Sequence, residues 1–544
     1  MVTLVLALAI AWLVLALSSR KRYLEVFRSA LARPPGLEPG LLSVDFATAE
    51  MLVERLAAPD PDEVIRSAGV LVRRGRARLV PALLLYHPSA RVLRYALQVL
   101  AESDRTDWLP LATPLLSHDN EGVRMAAVRA LARRADRALL STLAQREGPR
   151  MRGYAAVWQA VRDAGPDARA QLEALVEEAE RETNGLLREG IIEAIADAPR
   201  DAQLGEAVLR LVDSNEPKLA VTPANMGAAA DVLARAIARQ GDGRLVPLLV
   251  QRLVTRVGRE EVRNALVALG EPAFEALVAA LHSGASPRAL RVHIPRSLAR
   301  FATTRAAEVL LSVLESDVDG LVRYKALRGL GRMVAESHMV VDPRRAIALA
   351  ERNVREYLRL FAALTGLRTD RVQEDDGGSR RAGATLGLLE GLVTDKMRQA
   401  LERTFRLLKI AHPGEDLQAL YALAQSADRH ASARAQAFVD ALLTRRYERG
   451  LRKALQIALE PMTNGERVRL SRDLPGTEVP PQQHLAAVAY LAGDTDSFVS
   501  DIAIEHATSL RNDGLLDLAR AAKSGRGGPE RSEGRIRLLR VARA

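Results

Sequence analysis

Hydrophobic positions in residues 87–131 form a pattern that occurs twice. The two copies are HPSARVLRYALQVL (87–100) and HDNEGVRMAAVRAL (118–131). In each copy the apolar residues fall at i, i+4, i+5 and i+8, which is one face of an α-helix. Each copy is therefore predicted to be an amphipathic helix. Equivalent positions lie 31 residues apart and pair Val92 with Val123, Ala96 with Ala127, Leu97 with Val128, and Leu100 with Leu131.

A shorter apolar segment with an early proline precedes each copy. The segments are LVPALLLY (79–86) and WLPLATPLL (108–116), and Pro81 and Pro110 lie 29 residues apart. Because proline has a φ suited to the first turn of a helix, each segment is predicted to be a second helix. A period of about 30 residues that carries two helices is typical of an α-solenoid.

Further copies of the two-helix pattern lie on both sides of this segment. They are found at 60–75, 151–161, 260–281, 286–301 and 320–333. Seven or more repeats before residue 335 predict an all-α fold, a solenoid in which each repeat buries its apolar face against its neighbours. The period loosens from about residue 341.

The composition supports a helical solenoid and leaves the partner open. Hydrophobic residues make up 48% of the 544 residues and aromatic residues only 4%, which fits small-residue helix packing better than a β-rich fold. The absence of cysteine excludes disulfides and thiolate metal sites. The net charge of +11 permits an acidic partner, but the arginines are interspersed with acidic residues, as on a solvated helical surface.

The first 19 residues are predicted to be a transmembrane helix. Residues 2–17 carry no charge, and about 19 residues at ~1.5 Å each can cross a ~30 Å hydrocarbon core. The positive-inside rule then places the N-terminus outside and the solenoid in the cytoplasm. A secretory signal peptide is the alternative, although it lacks a basic leading region. The predicted contacts with the membrane surface are Arg20, Lys21, Arg22, Tyr23 and Phe27.

The predicted organisation has two helical lobes joined by a charged loop. We expect a basic juxtamembrane helix and linker after the membrane helix, and a basic tail at the end of the chain. The segments are 1–19 (transmembrane helix), 20–40 (juxtamembrane helix and linker), 41–366 (first solenoid lobe), 367–384 (loop or hinge), 385–520 (second solenoid lobe) and 521–544 (tail).

Arginines recur near the start of successive repeat helices. One interpretation is a row of cations that binds phosphates or an acidic peptide. The favoured interpretation is a structural ladder, in which each guanidinium bridges to a carboxylate or loop carbonyl and fixes the stacking of the repeats. The residues concerned are Arg66, Arg94, Arg124, Arg152 and Arg323.

Four histidines lie in turns beside prolines or aspartates. His87 and His118 share one repeat position, but neighbouring repeats are about 10 Å apart, too far for one metal ion with ~2 Å bonds. Turn capping is therefore the favoured role for both, and His293 and His412 are interpreted in the same way. No metal or cofactor is predicted.

No catalytic motif stands out in the sequence. HExxH, GxSxG and the P-loop pattern are missing, and there is no cysteine nucleophile. The Gly-rich string at 525–530 has no preceding strand, so it does not fit a dinucleotide fingerprint. We therefore expect a protein that is not an enzyme. The few aromatic residues and mixed charges argue against nucleic-acid binding.

The Val-Arg and Ala-Leu phrases of the repeats resemble HEAT repeats, most closely the HEAT-like type first named for phycobilin lyases. The phrases are DNEGVRMAAVRAL, DVDGLVRYKALRGL and EEVRNALVALG. This resemblance implies a solenoid whose long surface binds proteins, and thus a membrane-anchored interaction scaffold.

A second resemblance covers nearly the whole chain. The order of RKRYLEVFRSAL, LLLYHPSARVLRYALQVL, VHIPRSLARF and ERTFRLLKIAHPGEDLQALYALAQS is similar to the cytoplasmic C-terminal part of bacterial major-facilitator proteins related to ATP/ADP translocases. The alternative function it implies is a regulatory part of a nucleotide transporter, acting in cis or on a separate transporter subunit. The single apolar segment here cannot form a translocation path.

Overall fold

The computed structural model describes ten ranges of the chain, and all regular structure within them is helical, with no strand. The predicted all-α class is therefore confirmed. The segments predicted at 1–19 and 20–40, including the membrane-surface residues Arg20 to Phe27, lie outside the described residues, as does most of the predicted tail. The described ranges are 46–134, 137–146, 148–163, 165–182, 185–213, 226–316, 319–369, 379–425, 429–510 and 513–524.

Contacts divide the chain into two units between Leu269 and Gly270. Each repeat in the N-terminal unit pairs a short helix with a longer one. Its described α-helices are α1 (Phe46–Glu54), α2 (Pro61–Arg73), α3 (Ala90–Ala101), α4 (Leu109–Ala112), α5 (Glu121–Ala132), α6 (Arg137–Arg146), α7 (Pro149–Asp163), α8 (Pro166–Arg181), α9 (Leu186–Asp197), α10 (Ala202–Asp213), α11 (Met226–Gln240), α12 (Val246–Arg252) and α13 (Arg259–Leu269).

The two repeated phrases form α3 and α5, and their apolar stripes are buried as predicted. Val92, Ala96, Leu97 and Leu100 are at most 1% exposed, and their equivalents in α5 are at most 3% exposed. Ser89 and Asn120 stand at the N-caps, and the Asn120 side chain accepts a hydrogen bond from the backbone N–H of Val123.

The proline-started segments are tighter than α-helices. Pro81 precedes a 3-10 helix at Ala82–Tyr86, and α4 passes directly into another at Thr113–Ser117. Pro110 and Pro114 lie four residues apart in this second segment. Because proline lacks an N–H and crowds the preceding turn, the two prolines interrupt the α-helical ladder.

One helix from each of six repeats of the N-terminal unit packs against the next in one row, in the order α3, α5, α7, α9, α11 and α13. The closest approach in the row is between α7 and α9. A Cβ atom on Gly153 would lie 2.7 Å from the carbonyl oxygen of Leu187, and one on Gly190 would overlap the backbone of Arg150. Only glycine at these two positions allows the helices to approach so closely.

We expect Gly190→Ala to destabilise the N-terminal unit by about 3 kcal/mol or more, because the new methyl group meets backbone atoms that cannot rotate away. Chemical denaturation monitored by circular dichroism measures the loss. The matched control is Gly391→Ala, at an exposed helical position with nothing within 4 Å of the added Cβ. That substitution should stabilise its helix by about 0.5–1 kcal/mol. Equal effects of the two substitutions would contradict the packing argument.

The C-terminal unit contains longer helices than the N-terminal unit. Its described α-helices are α14 (Glu271–His282), α15 (Arg288–Arg291), α16 (Ile294–Ala299), α17 (Thr304–Glu315), α18 (Gly320–Ser337), α19 (Pro343–Arg368), α20 (Ser379–Ala411), α21 (Leu417–Ala424), α22 (Arg429–Leu442), α23 (Arg449–Leu459), α24 (Asn464–Arg472), α25 (His484–Ala492), α26 (Ser497–Ser509) and α27 (Asp513–Ser524).

The predicted loop at 367–384 is helical at both ends, where α19 extends to Arg368 and α20 begins at Ser379. The two helices pack extensively against each other, so both belong to one compact unit. The boundary found between Leu269 and Gly270 instead falls inside the predicted first lobe, where the repeat pattern continues without a change in composition. Sequence offers little signal for such a boundary.

A buried polar network joins four helices of the C-terminal unit. Nδ1 of His484 lies 2.7 Å from the carbonyl oxygen of Leu367, which can only accept, so this nitrogen donates. Nε2 of His484 then accepts from Nε2 of His506 at 3.3 Å, and Nδ1 of His506 accepts from the Thr385 hydroxyl at 2.9 Å. The side chains thus tie α19, α20, α25 and α26 together.

Acid should weaken the C-terminal unit through His506. Burial, and then the neighbouring His484, lowers the pKa of His506 to about 4 from 6.5. The unfolded chain therefore binds this proton more readily, and stability falls as the pH drops from 6.5 towards 4. We expect a loss of roughly 2 kcal/mol at pH 5 relative to pH 8 from this group.

Denaturation curves of the wild type and of His506→Gln at several pH values isolate this contribution from that of other titrating groups. Whatever its stability at pH 8, the free energy of unfolding of the variant should depend less steeply on pH. Identical slopes for the two proteins would refute the assignment.

Among the described residues, no single helix combines the length and apolar character needed to cross a membrane. The broken pair α13 and α14 meets that requirement only jointly, by length and composition.

Candidate functional site

A concave groove of about 550 Å³ lies in the N-terminal unit, along the row of helices that runs from α3 to α11. Residues of α3, α5, α7, α9 and α11 line it, so five successive helices contribute. Eight of the lining side chains carry a charge: Arg94, Glu102, Glu121, Arg129, Arg133, Arg150, Asp197 and Arg235. The site is therefore polar, in contrast to the mostly apolar pockets that enclose small molecules.

Small residues on one face of α5 create the room for the groove. Gly122, Ala126 and Ala130 are spaced four residues apart and so lie on the same side of the helix. The Arg94 side chain crosses the first of them, since a Cβ atom on Gly122 would lie 3.4 Å from Arg94 Cδ and 3.5 Å from its Nη1. A larger side chain at Gly122 would displace Arg94.

Two of the five groove arginines are held by carboxylates. Arg129 donates to Asp197 Oδ2 from Nε at 3.1 Å and forms an ion pair with it at 3.0 Å. The buried Tyr154 hydroxyl donates to the same oxygen at 2.9 Å, which links α5, α7 and α9. Burial, aided by the negative charge of Asp197, raises the pKa of Tyr154, so this hydroxyl keeps its proton.

Arg150, which also lines the groove, is held by carboxylates of α9. It donates to both carboxylate oxygens of the buried Glu193, at 2.5 and 3.2 Å, and approaches Glu189 at 3.2 Å. Burial raises the pKa of Glu189, although the guanidinium opposes this. These contacts fasten α7 to α9 at the place where Gly153 and Gly190 bring the helices together.

The other three groove arginines have no such partner. Within the described part of the chain, the guanidinium groups of Arg94, Arg133 and Arg235 make no ion pair or hydrogen bond, and all three residues are exposed. Glu102 and Glu121, also exposed in the wall, form no ion pair with described residues either. The groove thus presents three exposed arginines and two exposed glutamates outside these ion pairs, and of these Arg235 is attracted to Asp231 on its own helix.

The five arginines of the predicted ladder have different surroundings. Arg152 pairs with Glu178 of the following helix α8, as a ladder between repeats requires. Arg66 lies 3.5 Å from Asp60, and Arg124 donates to the carbonyls of residues 118 and 119, so these two stay within their own repeats. Arg94 lines the groove, and Arg323 lies in the C-terminal unit near Arg403. The structure does not bring the five into one row.

A different set of arginines connects neighbouring repeats. Arg105 donates to the carbonyls of Arg78 and Val80, and Arg134 donates to those of Arg105 and Ser103. Arg162 repeats the contact with the carbonyls of residues 132 and 133. The three arginines are 28 or 29 residues apart, so their recurrence at the repeat period is the sequence signal by which they could have been found. Arg105 and Arg134 follow α3 and α5, and Arg162 lies in the last turn of α7. Free carbonyls near helix ends favour a cation.

We expect Arg134→Met to destabilise the N-terminal unit by about 1–2 kcal/mol, because two carbonyl groups lose a charged donor. Arg133→Met at the adjacent position is the matched control. Arg133 has no side-chain partner among the described residues, so this substitution should change stability by no more than about 0.5 kcal/mol. Thermal denaturation of both variants measures the two losses of stability. A larger loss in Arg133→Met than in Arg134→Met would contradict the role assigned to Arg134.

Two of the four turn histidines, His87 and His118, hydrogen-bond within their own turns, whereas Nε2 of His412 lies 3.4 Å from the Glu448 carboxylate. Nδ1 of His87 accepts from the backbone N–H of Ser89, and Nδ1 of His118 accepts from that of Asn120, both at 3.0 Å. This agrees with the capping interpretation. The described residues contain no cluster of three or more His, Asp or Glu side chains arranged to hold a metal ion. His484 and His506, the buried pair, were not singled out from the sequence.

Comparisons with known proteins identify the repeat type in part of the chain. Residues 77–158, which run from before α3 through most of α7, match the family model of HEAT repeats. No curated protein matches the chain. A chain from a solved structure, on a phosphorylation switch that controls the interaction between cadherin and beta-catenin, is 14% identical and has a TM-score of 0.21. The match covers 87% of this chain and 99% of that one.

Proposed function

We propose that this protein is an interaction scaffold that holds a partner protein in the groove of its N-terminal unit. The observation that carries the proposal is the set of exposed, uncommitted charged side chains in a concave surface built by five successive helices. Concave surfaces of this kind are what repeat proteins use for recognition. The HEAT repeats matched at 77–158 supply three of these five helices.

The lining of the groove favours a polypeptide over other ligands. Its charged wall and open form do not suit a small apolar molecule, which needs an enclosed apolar pocket. It includes no aromatic side chain on which a nucleic-acid base would stack. Asp197 in its wall and the buried Glu193 are occupied by Arg129 and Arg150, so they are poorly placed to transfer protons. These features support a role in binding and not in catalysis.

The finer part of the proposal is that the scaffold is tethered to a membrane. Residues 2–17 are uncharged and are followed directly by Arg20, Lys21 and Arg22. By the positive-inside rule such a segment leaves the N-terminus outside and the helical units in the cytoplasm. Positive charges after the segment would add attraction to anionic headgroups.

A regulatory part of a nucleotide transporter is the second candidate, and the order of sequence motifs described above is the observation that favours it. Genomic DNA upstream of the codon for Met1 separates the two candidates. An in-frame series of apolar segments would support the transporter, and an in-frame stop codon would support a separate scaffold.

The scaffold proposal predicts that partner capture depends on the groove. The full chain is purified with crosslinked proteins from cells that express it, alongside two double variants. Arg94→Ala/Arg133→Ala should lose specific partners, whereas Arg74→Ala/Arg76→Ala should retain them. The control removes the same charge from exposed positions of the same unit that do not line the groove.

Mass spectrometry of the captured proteins gives the readout, and recovery in the membrane fraction tests the tether in the same preparation. Identical partners for the wild type and both variants would reject the groove as the binding surface. Exclusive recovery of nucleic acid would reject the scaffold function.

A further inference from the structure

We propose that the groove of the N-terminal unit binds an extended polypeptide segment that carries two acidic side chains about five residues apart, one for Arg94 and one for Arg133. This proposal rests on the scaffold function above and specifies the chemistry of the partner.

Internal ion pairs neutralise two of the five groove arginines. Arg129 is neutralised by Asp197, and Arg150 by Glu193, through contacts of 2.5 to 3.1 Å. These carboxylates cannot turn to other arginines without leaving a half-buried guanidinium unpaired, which is costly. Among the described residues, the exposed guanidinium groups of Arg94 and Arg133 have no ion-pair partner, and Arg235 is attracted to Asp231 on its own helix.

The two free glutamates lie at opposite ends of the groove and do not close it to an anion. Glu121 is the first residue of α5, and Glu102 directly follows α3. The two helices run in the same direction, because Arg94 lies beside Gly122 at one end and Arg134 reaches the carbonyl of Ser103 at the other. Each end of the groove therefore pairs one free arginine with one free glutamate, and Arg235 adds a further cation from α11.

The spacing of the arginines sets the length of the ligand. Arg94 lies over Gly122, and Arg133 follows 11 residues later along the same helix. At ~1.5 Å per residue this separates the backbone positions of Gly122, which Arg94 crosses, and Arg133 by roughly 16 Å along the helix axis. An extended chain covers ~3.3 Å per residue, so about five residues bridge the distance. A compact α-helical ligand would need about eleven.

Arginine suits this role because its planar guanidinium can donate two parallel hydrogen bonds to one carboxylate. The small residues Ala126 and Ala130 lie between the two arginines on α5 and leave space for the backbone of the ligand. A polypeptide with acidic side chains at this interval therefore meets cations at both ends and small side chains between them.

The test uses the full chain and fluorescent Gly/Ser peptides, with binding measured by anisotropy at low and high salt. One peptide carries two glutamates about five residues apart, and a second carries glutamines at those positions. We expect the glutamate peptide to bind at least about tenfold more tightly, with an affinity that falls as salt rises. Equal binding of the two peptides, or no binding of the glutamate peptide, would overturn the proposal.

Variants locate the binding. Arg94→Ala and Arg133→Ala should each weaken binding of the glutamate peptide about tenfold or more, whereas Arg74→Ala/Arg76→Ala should not weaken it. Arg133→Glu should lose the glutamate peptide and gain affinity for one with lysine at the corresponding position. Melting temperatures equal to that of the wild type show that the variants remain folded. Loss of binding in the control variant to the same extent would place the site elsewhere.

The outcomes separate this proposal from the scaffold function. If the groove variants lose their captured partners but the glutamate and glutamine peptides bind equally well, the scaffold function stands and the proposal of an acidic ligand fails. If a single-stranded oligonucleotide binds the groove more tightly than the glutamate peptide, both fail. Inorganic phosphate that competes as strongly as the peptide would assign the arginines to a small anion and overturn the polypeptide ligand.

Discussion

Each helix pair of this protein has an apolar face that it cannot cover by itself, and the rest of the structure depends on that constraint. Val92, Ala96 and Leu100 of α3 are almost fully buried only because neighbouring helices cover them. At roughly 25 cal/mol per Å² of apolar surface, burial of such stripes is the main favourable contribution to folding. Stacking repeats is the way a long helical chain obtains this burial without one large core.

Polar contacts then determine how closely the stacked helices approach. Surface ion pairs contribute little on average, about 0–1 kcal/mol each, so the many exposed pairs here do not explain the packing. The contacts that matter reach buried or terminal groups, such as Arg150 with Glu193, or Arg134 with the carbonyls that follow α3. Together with Gly153 and Gly190, they hold the row of helices in the register that forms the groove.

The same internal contacts give the groove its chemical character. Because Arg129 and Arg150 are neutralised from within, they act as part of the wall, and Arg94, Arg133 and Arg235 remain as the cations available to a ligand. In the C-terminal unit, polar side chains have a different use. His484 and His506 are enclosed between helices, where they satisfy one another and a backbone carbonyl instead of facing a surface.

The sequence by itself determined the helical class, the repeat period and the buried stripes, because these depend on local periodicity and on which side chains avoid water. It also identified the capping role of His87 and His118, whose hydrogen bonds reach only two residues along the chain. Only the tertiary structure decided which arginines are free. Arg94 and Arg124 occupy similar sequence patterns, yet one lies across the small face of α5 and the other bonds to loop carbonyls. The partners of Arg129 and Arg150 lie 43 to 68 residues away, and pairing over such separations depends on how the repeats stack. The division between Leu269 and Gly270 also depends on the tertiary structure, because it reflects contacts in space and no change in composition marks it.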